Sequence, residues 1–128
     1  DTLSWADVIV VMKDGQIVQS GTPREIYSNP ADEYCAALFG EYNIVDKKDF
    51  FTLTGKPLSQ TEIFLRPEDF QLTSETGKTL NGVIKEILYW GSYYSIHVLV
   101  GSELYKVKTQ FADFSIGDSV RLSLFRSL

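Results

Sequence analysis

The sequence predicts a mainly β protein, in which a small β-barrel follows a β-hairpin and two short helices. Three observations predict this fold class. A β-branched run precedes the turn pair Asp14-Gly15. Two later segments each begin a helix with a proline, at Pro23 and Pro30. From Ile44 onward, short segments of alternating apolar and polar residues are separated by glycine turns.

Composition and charge exclude several classes of protein. The chain carries 12 Lys and Arg against 17 Asp and Glu, a net charge of −5, whereas a nucleic-acid interface needs clustered positive charge. No apolar run approaches the roughly 20 residues of a membrane helix, and no signal-peptide pattern occurs at the start. We therefore expect no nucleic-acid binding and no direct membrane insertion. Because the chain begins at Asp1 rather than Met, we expect a fragment or a processed product.

The first element is the hairpin. Val8-Ile9-Val10-Val11-Met12 is a continuous apolar run, which is typical of a strand covered on both faces. Ile17-Val18 returns as the second strand after the turn. A two-stranded hairpin is marginal alone, so the pattern implies a larger sheet outside these residues and favours self-association of the isolated chain.

Two short helices follow the hairpin. Thr22 is the predicted cap of the first, Pro23 suits its first position, and Glu25 completes a capping box. Asn29 is the predicted cap of the second helix, over residues 31–39, with Gly40 as its stop. Cys35 is predicted to be a small buried hydrophobe, because no partner motif for redox or nucleophilic chemistry accompanies it.

The β-rich part begins after a boundary at residues 41–43, and no helix-length pattern is seen in it. Five segments have clear strand patterns: residues 62–65, 80–89, 93–100, 104–109 and 119–124. In the second, Val83, Ile87 and Tyr89 are assigned to one face and Ile84, Glu86 and Leu88 to the other. Closure of such strands avoids exposed edges, so we predict a small OB-like barrel.

Candidate catalytic and binding residues are few. No complete phosphate loop is present, and Gly55-Lys56-Pro57 lacks both the preceding glycine and the hydroxyl. One His and one Cys are too few for a metal site, and His97 is predicted to face solvent. Arg66-Pro67-Glu68-Asp69 could form a charged ligand site, but we favour a turn in which Arg66 pairs with a carboxylate. The aromatic residues at 89–90 and 93–94 could form a platform on which bases or sugars stack, but we favour packing in the core and at an interface.

The first forty residues resemble the end of the ATP-binding domain in ABC importers of the maltose, polyamine, iron and sulfate type. That family closes the domain with a strand, a glycine turn, a second strand and the pattern G-T-P-x-E-I-Y-x-x-P. The matching residues are Gly21, Thr22, Pro23, Glu25, Ile26, Tyr27 and Pro30. Residues 3–7 resemble the A-L-x-x-A-D segment before the strand, with Thr2 where Ala is usual. The resemblance places the switch histidine of the family before Asp1.

The β-rich part resembles the TOBE domain (transport-associated, oligonucleotide/oligosaccharide-binding-like) that follows the ATPase domain in these importers. Arg66, Pro67, Glu68 and Asp69 match its I-R-P-E-D/H pattern, although Leu65 replaces the usual small or β-branched residue. Gly82-Val83 with Leu88-Tyr89-Trp90-Gly91, and residues 117–122, resemble its later glycine motifs.

These resemblances imply that residues 1–42 are the tail of a nucleotide-binding domain and residues 43–128 a TOBE barrel. The implied parent hydrolyses ATP, with Mg, at the cytoplasmic face of the cell membrane to drive solute import, and the barrel regulates it. The implied partners are a second ATPase subunit and permease subunits. The chain itself contains no Walker A, Walker B, signature or switch-histidine motif, so we expect it to be inactive alone. The alternative is a free-standing module that binds a small oxyanion or oligosaccharide.

Overall fold

The computed structural model describes residues 8–111, 113–126 and 128. The chain divides into two compact units, one that ends at Tyr42 and one that spans Asn43–Leu128. The importer-like residues 3–7 lie outside the described residues. Each unit has its own buried apolar cluster, so the units are described separately.

The first unit begins with the predicted hairpin. Its antiparallel strands are β1 (Ile9–Lys13) and β2 (Gln16–Gly21). Asp14 and Gly15 connect them with φ angles of 53° and 77°, the positive values that a type I′ turn requires. The predicted hairpin and its turn are therefore confirmed.

Burial of β1 differs from the prediction. Val11 is buried against Ile26 and Cys35, whereas Val10 and Met12 are 51% and 53% exposed. The reason is that β2 is the one strand paired with β1 among the described residues, so a single face of the hairpin has a packing layer. The full burial of Cys35 confirms its predicted role as a small hydrophobe.

The two helices are α1 (Pro23–Ser28) and α2 (Glu33–Leu38). The second begins later than predicted, because Asp32 rather than Asn29 is its N-cap. The Asp32 carboxylate accepts the Cys35 N–H at 2.9 Å, and this hydrogen bond lowers the pKa of Asp32. The prediction that Asn29 and Pro30 open a helix is therefore wrong.

The second unit starts with β3 (Asn43–Asp46), followed at once by a helix that the sequence analysis missed. This helix, α3 (Lys47–Thr54), has Asp46 as N-cap and ends at Gly55, whose φ is 74°. Phe50 and Leu53, three residues apart, are its buried apolar contacts. The prediction that no helix interrupts this part of the chain is wrong. After the helix, β4 (Glu62–Leu65) pairs antiparallel with β3.

Five strands form the larger antiparallel sheet. They are β5 (Phe70–Thr73), β6 (Leu80–Tyr89), β7 (Tyr94–Val100), β8 (Glu103–Thr109) and β9 (Ser119–Leu124). Their hydrogen-bonded order is β5-β9-β6-β7-β8, so β5 and β8 are the edges. Residues of these edge strands approach each other without pairing. The predicted mainly β class is confirmed. The barrel-like sheet is not closed, because its edge strands β5 and β8 do not pair.

Side chains from the inner face of this sheet, from the β3–β4 pair and from α3 form the core of the unit. The fully buried members include Val45, Leu65, Ile84, Ile96, Val98, Val107 and Leu122. The face assignment of β6 differs from the prediction, because the register shifts between Ile84 and Glu86. This bulge turns Ile87 toward the same core as Ile84, so the assignment of those two residues to opposite faces is wrong.

Candidate functional site

The G-T-P-x-E-I-Y motif forms the start of α1. The Thr22 Oγ1 accepts the Glu25 N–H at 3.2 Å, and the Glu25 Oε1 accepts the Thr22 N–H at 2.9 Å. The hydrogen bond from the Thr22 main chain lowers the pKa of Glu25. A Cβ on Gly21 would lie 3.3 Å from the Glu25 Oε1, so a larger residue there would press on the capping carboxylate. The motif thus builds the helix start.

The other motif residues of this unit pack or connect. Pro23 is buried at the first turn, and Ile26 is fully buried in the apolar cluster, while Tyr27 and Pro30 are half-buried. Their arrangement shows structural roles in hairpin and helix packing. These residues form neither a cavity nor a pair of catalytic groups.

A glutamine that the sequence analysis did not single out holds the linker between α1 and α2. The Gln19 Nε2 donates to the Asn29 carbonyl at 3.0 Å, and the Gln19 Oε1 accepts the Ala31 N–H at 2.8 Å. Both bonds tie the linker to β2. The helix begins after Asp32, because the Asp32 carboxylate caps it by accepting the Cys35 N–H.

The R-P-E-D segment is the turn between β4 and β5, and three of its four residues are buried. Arg66 is only 2% exposed, Pro67 and Asp69 are buried, and Glu68 is exposed. The Asp69 Oδ2 accepts the Arg66 N–H at 2.7 Å, and the Asp69 carbonyl accepts the Phe125 N–H at 2.7 Å. The segment therefore joins the start of β5 to the chain that leaves β9.

Asp69 is the electrostatic centre of this turn. Burial raises its pKa, while the hydrogen bond from Arg66 and the charge of Arg126 act in the opposite direction. The Arg126 Nε lies 3.9 Å from the Asp69 Oδ1. A carboxylate so enclosed is suited to holding the fold, and it does not face a ligand cavity.

A second buried polar contact links α3 to β8. The Tyr105 hydroxyl donates to the Asp49 Oδ2 at 2.5 Å, and both residues are buried. Burial raises the pKa of Tyr105, and the bond to the carboxylate adds to the rise. The sequence analysis missed this pair because it missed α3. The signals present were Asp46 as a cap and Gly55 as a stop.

The histidine and the aromatic cluster occupy β6 and β7. Only 16% of the His97 side chain is exposed, and its Nδ1 lies 3.4 Å from the Glu86 Oε1, so the prediction of a solvent-facing His97 is wrong. The Tyr89 and Tyr94 rings are 4.8 Å apart. Tyr94 packs against the core, whereas Tyr89 is exposed. Nothing in the cluster pairs a nucleophile with a base.

An open groove of about 1010 Å³ lies beside β6 and β9. Its charged lining groups already hold the surrounding loops. The Arg121 Nη1 donates to the Ser74 carbonyl at 3.1 Å, and the Asp118 Oδ2 accepts the Ser115 N–H at 2.8 Å. Both charged side chains of the groove therefore already bind main-chain groups of the neighbouring loops.

The part of the chain that the structure describes contains neither a metal centre nor a membrane-spanning helix. No group of three or more His, Cys, Asp or Glu within residues 8–111, 113–126 and 128 is placed to hold a metal ion. No helix in the same residues is long and apolar enough to cross a membrane.

The family model described as TOBE domain matches residues 63–126, half of the chain. The match contains the R-P-E-D turn and all five strands of the larger sheet. The chain belongs to the TOBE domain family. The predicted TOBE resemblance is therefore confirmed, and the five-stranded sheet is the TOBE fold of this chain.

The chain also matches 204 curated proteins. One is the spermidine/putrescine import ATP-binding protein PotA of Onion yellows phytoplasma (strain OY-M), 29% identical over 123 residues. The match covers 85% of this chain and 30% of that protein, so the chain spans less than a third of the relative's length. Residues 43–128 make up only about two thirds of the chain, so the likeness extends into the first unit.

Proposed function

We propose that the chain is an accessory part of the ATP-binding subunit of an ABC solute importer. In this proposal residues 1–42 are the tail of the nucleotide-binding domain, and residues 43–128 are the TOBE domain that follows it. One observation carries the proposal. The likeness to an import ATP-binding protein runs through the TOBE domain into the hairpin unit.

The geometry of the hairpin supports the assignment of the first unit. Val10, Met12 and Ile17 leave an apolar surface exposed on β1 and β2, the kind of surface that normally lies against another layer. We propose that other parts of the nucleotide-binding domain cover it in the intact subunit. The capped helix α1 then fixes where the chain leaves that domain.

The parent subunit would supply the chemistry that this chain does not contain. We propose that it binds ATP and Mg, works as a pair of ATPase subunits against permease subunits, and lies at the cytoplasmic face of the cell membrane. The TOBE domain would contribute subunit contacts and regulation. The residues carried over from the family, from Gly21 to Pro30 and from Arg66 to Asp69, would act by building these two units.

A comparison of ATP hydrolysis tests the proposal. The intact subunit encoded by the gene should hydrolyse Mg-ATP, and the purified 128-residue chain should not. Heat-labile ATP turnover by the pure chain would contradict the proposal, because it would require an ATP site within these residues.

Calorimetry separates the proposal from the alternative of a free-standing ligand-binding module. Molybdate, sulfate and maltodextrins are titrated into the chain. The accessory-domain proposal expects no stoichiometric binding of any of them in the groove beside β6 and β9. Specific binding of one, abolished by changes at Arg121 or Asn81 in that groove, would favour the alternative.

A further inference from the structure

A second groove, of about 420 Å³, lies in the second unit between the end of α3, β5 and the end of β9. Three basic residues line it, Lys56, Lys78 and Arg126, together with the Glu75 carboxylate and Leu128, the last residue of the chain. Arg126 lies beside the buried Asp69, so Lys56 and Lys78 are the main source of positive charge in the groove. This charge is local, because the chain as a whole has a net charge of −5.

Lys78 sits in a turn that presents its ammonium to the groove. It is the centre of Gly77-Lys78-Thr79, where the Thr79 N–H donates to the Gly77 carbonyl at 2.8 Å. These are the last three residues of a phosphate loop, but Leu72 stands where such a loop has its first glycine, and a strand rather than a helix follows. The turn thus offers a Gly-Lys-Thr group without the fold of an ATP site.

The Lys78 side chain lies against Gly55 at the end of α3. A Cβ built on Gly55 would lie 3.3 Å from the Lys78 Cε and 3.5 Å from its Nζ. Gly55 thus leaves room for the lysine to lie against the end of α3. Among the described residues, the Lys78 ammonium makes no hydrogen bond or ion pair, so its charge is available.

Lys56 and the hydroxyl groups complete the set of donors. The Lys56 Nζ donates to the Leu128 carbonyl at 2.7 Å, which uses one of its three protons. Thr76, Thr79 and Ser123 also line the groove. Two ammonium groups with several hydroxyl donors match the several acceptor oxygens and the negative charge of a phosphate group.

We propose that this groove binds a phosphate group, either as free phosphate or as the headgroup of an anionic lipid. Lys78 and Lys56 bind its oxygens, and the hydroxyl groups complete the contact. The site is independent of the proposed ATP-binding parent, because every residue in it belongs to the second unit, Asn43–Leu128.

Titration of the chain with inorganic phosphate at constant ionic strength tests the site. Amide NMR shifts are expected to saturate at Gly77, Lys78, Thr79 and Ser123. Lys78→Met should raise the Kd roughly tenfold, the effect of losing one charge-assisted contact. Lys85→Met is the matched control, because Lys85 is an exposed lysine on β6 outside the groove, and its Kd should not change. Preserved peak dispersion in each variant shows that it is folded.

Vesicle binding distinguishes the two sources of phosphate. Phosphatidylcholine vesicles with and without phosphatidylglycerol are sedimented with the chain, Lys78→Met and Lys85→Met. Saturable binding of either free phosphate or anionic vesicles that is lost in Lys78→Met and retained in Lys85→Met supports the proposal. The proposal is overturned if neither probe binds, or if the two variants behave alike.

Discussion

Replacement of Gly82 by alanine should destabilise the second unit, although alanine is normally the better residue in a strand. Gly82 lies in β6 opposite Val120 of β9. A Cβ at this position would lie 2.5 Å from the Val98 Cγ1 and 2.9 Å from the Leu99 carbonyl oxygen. Val98 is fully buried, and the Leu99 oxygen belongs to the main chain of β7. Neither can move away without shifting the neighbouring strand.

The magnitude follows from two opposing effects. Overpacking of a well-packed core costs about 1–3 kcal/mol. Replacing glycine by alanine in a strand returns about 0.5–1 kcal/mol, because the unfolded chain loses less freedom on folding. We therefore expect Gly82→Ala to lower the free energy of unfolding by about 1–2 kcal/mol. With a urea m-value of about 2 kcal/mol per M, the middle of the usual range, the midpoint should fall by roughly 0.5–1 M.

Urea unfolding followed by circular dichroism measures this shift. Asn81→Ala is the matched control, since Asn81 is the exposed neighbour of Gly82 on the same strand, and its midpoint should move little. An unchanged or higher midpoint for Gly82→Ala would refute the reasoning. It would mean that β6 and β7 can separate at this point without loss of stability.

Three further predictions concern the caps, the buried pair and the hairpin. Thr22→Ala removes the cap of α1 and should cost about 1 kcal/mol, seen as faster hydrogen exchange in that helix; unchanged exchange would contradict the capping role. Tyr105→Phe leaves the Asp49 carboxylate buried without its donor and should cost about 1–3 kcal/mol; a double-mutant cycle with Asp49→Asn should show coupling, and additive effects would contradict it. The isolated chain should self-associate through the hairpin, and Val10→Thr with Met12→Thr should make it monomeric in sedimentation velocity; a strictly monomeric wild type at high concentration would contradict this.

Local signals account for the parts of the fold that the sequence predicted. The turn at Asp14-Gly15 depends on two adjacent residues that tolerate positive φ. The capping box depends on Thr22 and Glu25, three positions apart. The alternation in β7 needs only a period of two. Each of these patterns lies within a few residues, so the structure it forms can be predicted without knowledge of distant contacts.

The errors arose where a distant contact or a competing signal decided the structure. Two capping residues compete before α2, and Asp32 rather than Asn29 caps the helix, while Gln19, twelve residues before Ala31, holds the linker. The bulge in β6 changes which residues face the core, and no local residue type announces it. Asp46 and Gly55 mark the ends of helix α3, but the segments around it have the alternating pattern of strands, and this pattern outweighs the two capping signals.

The candidate sites divide in the same way. The R-P-E-D turn can be predicted from the sequence motif alone. Its burial cannot, because it depends on the chain beyond β9, including the Phe125 N–H that donates to the Asp69 carbonyl. The basic groove could not be predicted, because Lys56 and Lys78 are 22 residues apart in the sequence and line one groove only in the folded chain. Convergence of charges from separate turns is a property of the tertiary structure.

Sequencing the gene upstream of the codon for Asp1 tests the central claim most directly. If this chain is part of an importer ATPase subunit, the same reading frame should encode a complete G-x-x-x-x-G-K-S/T phosphate loop. A histidine followed by Asp or Glu should then lie shortly before Asp1. A start codon immediately before Asp1, or an upstream region without these motifs, would contradict the account and favour a free-standing TOBE module.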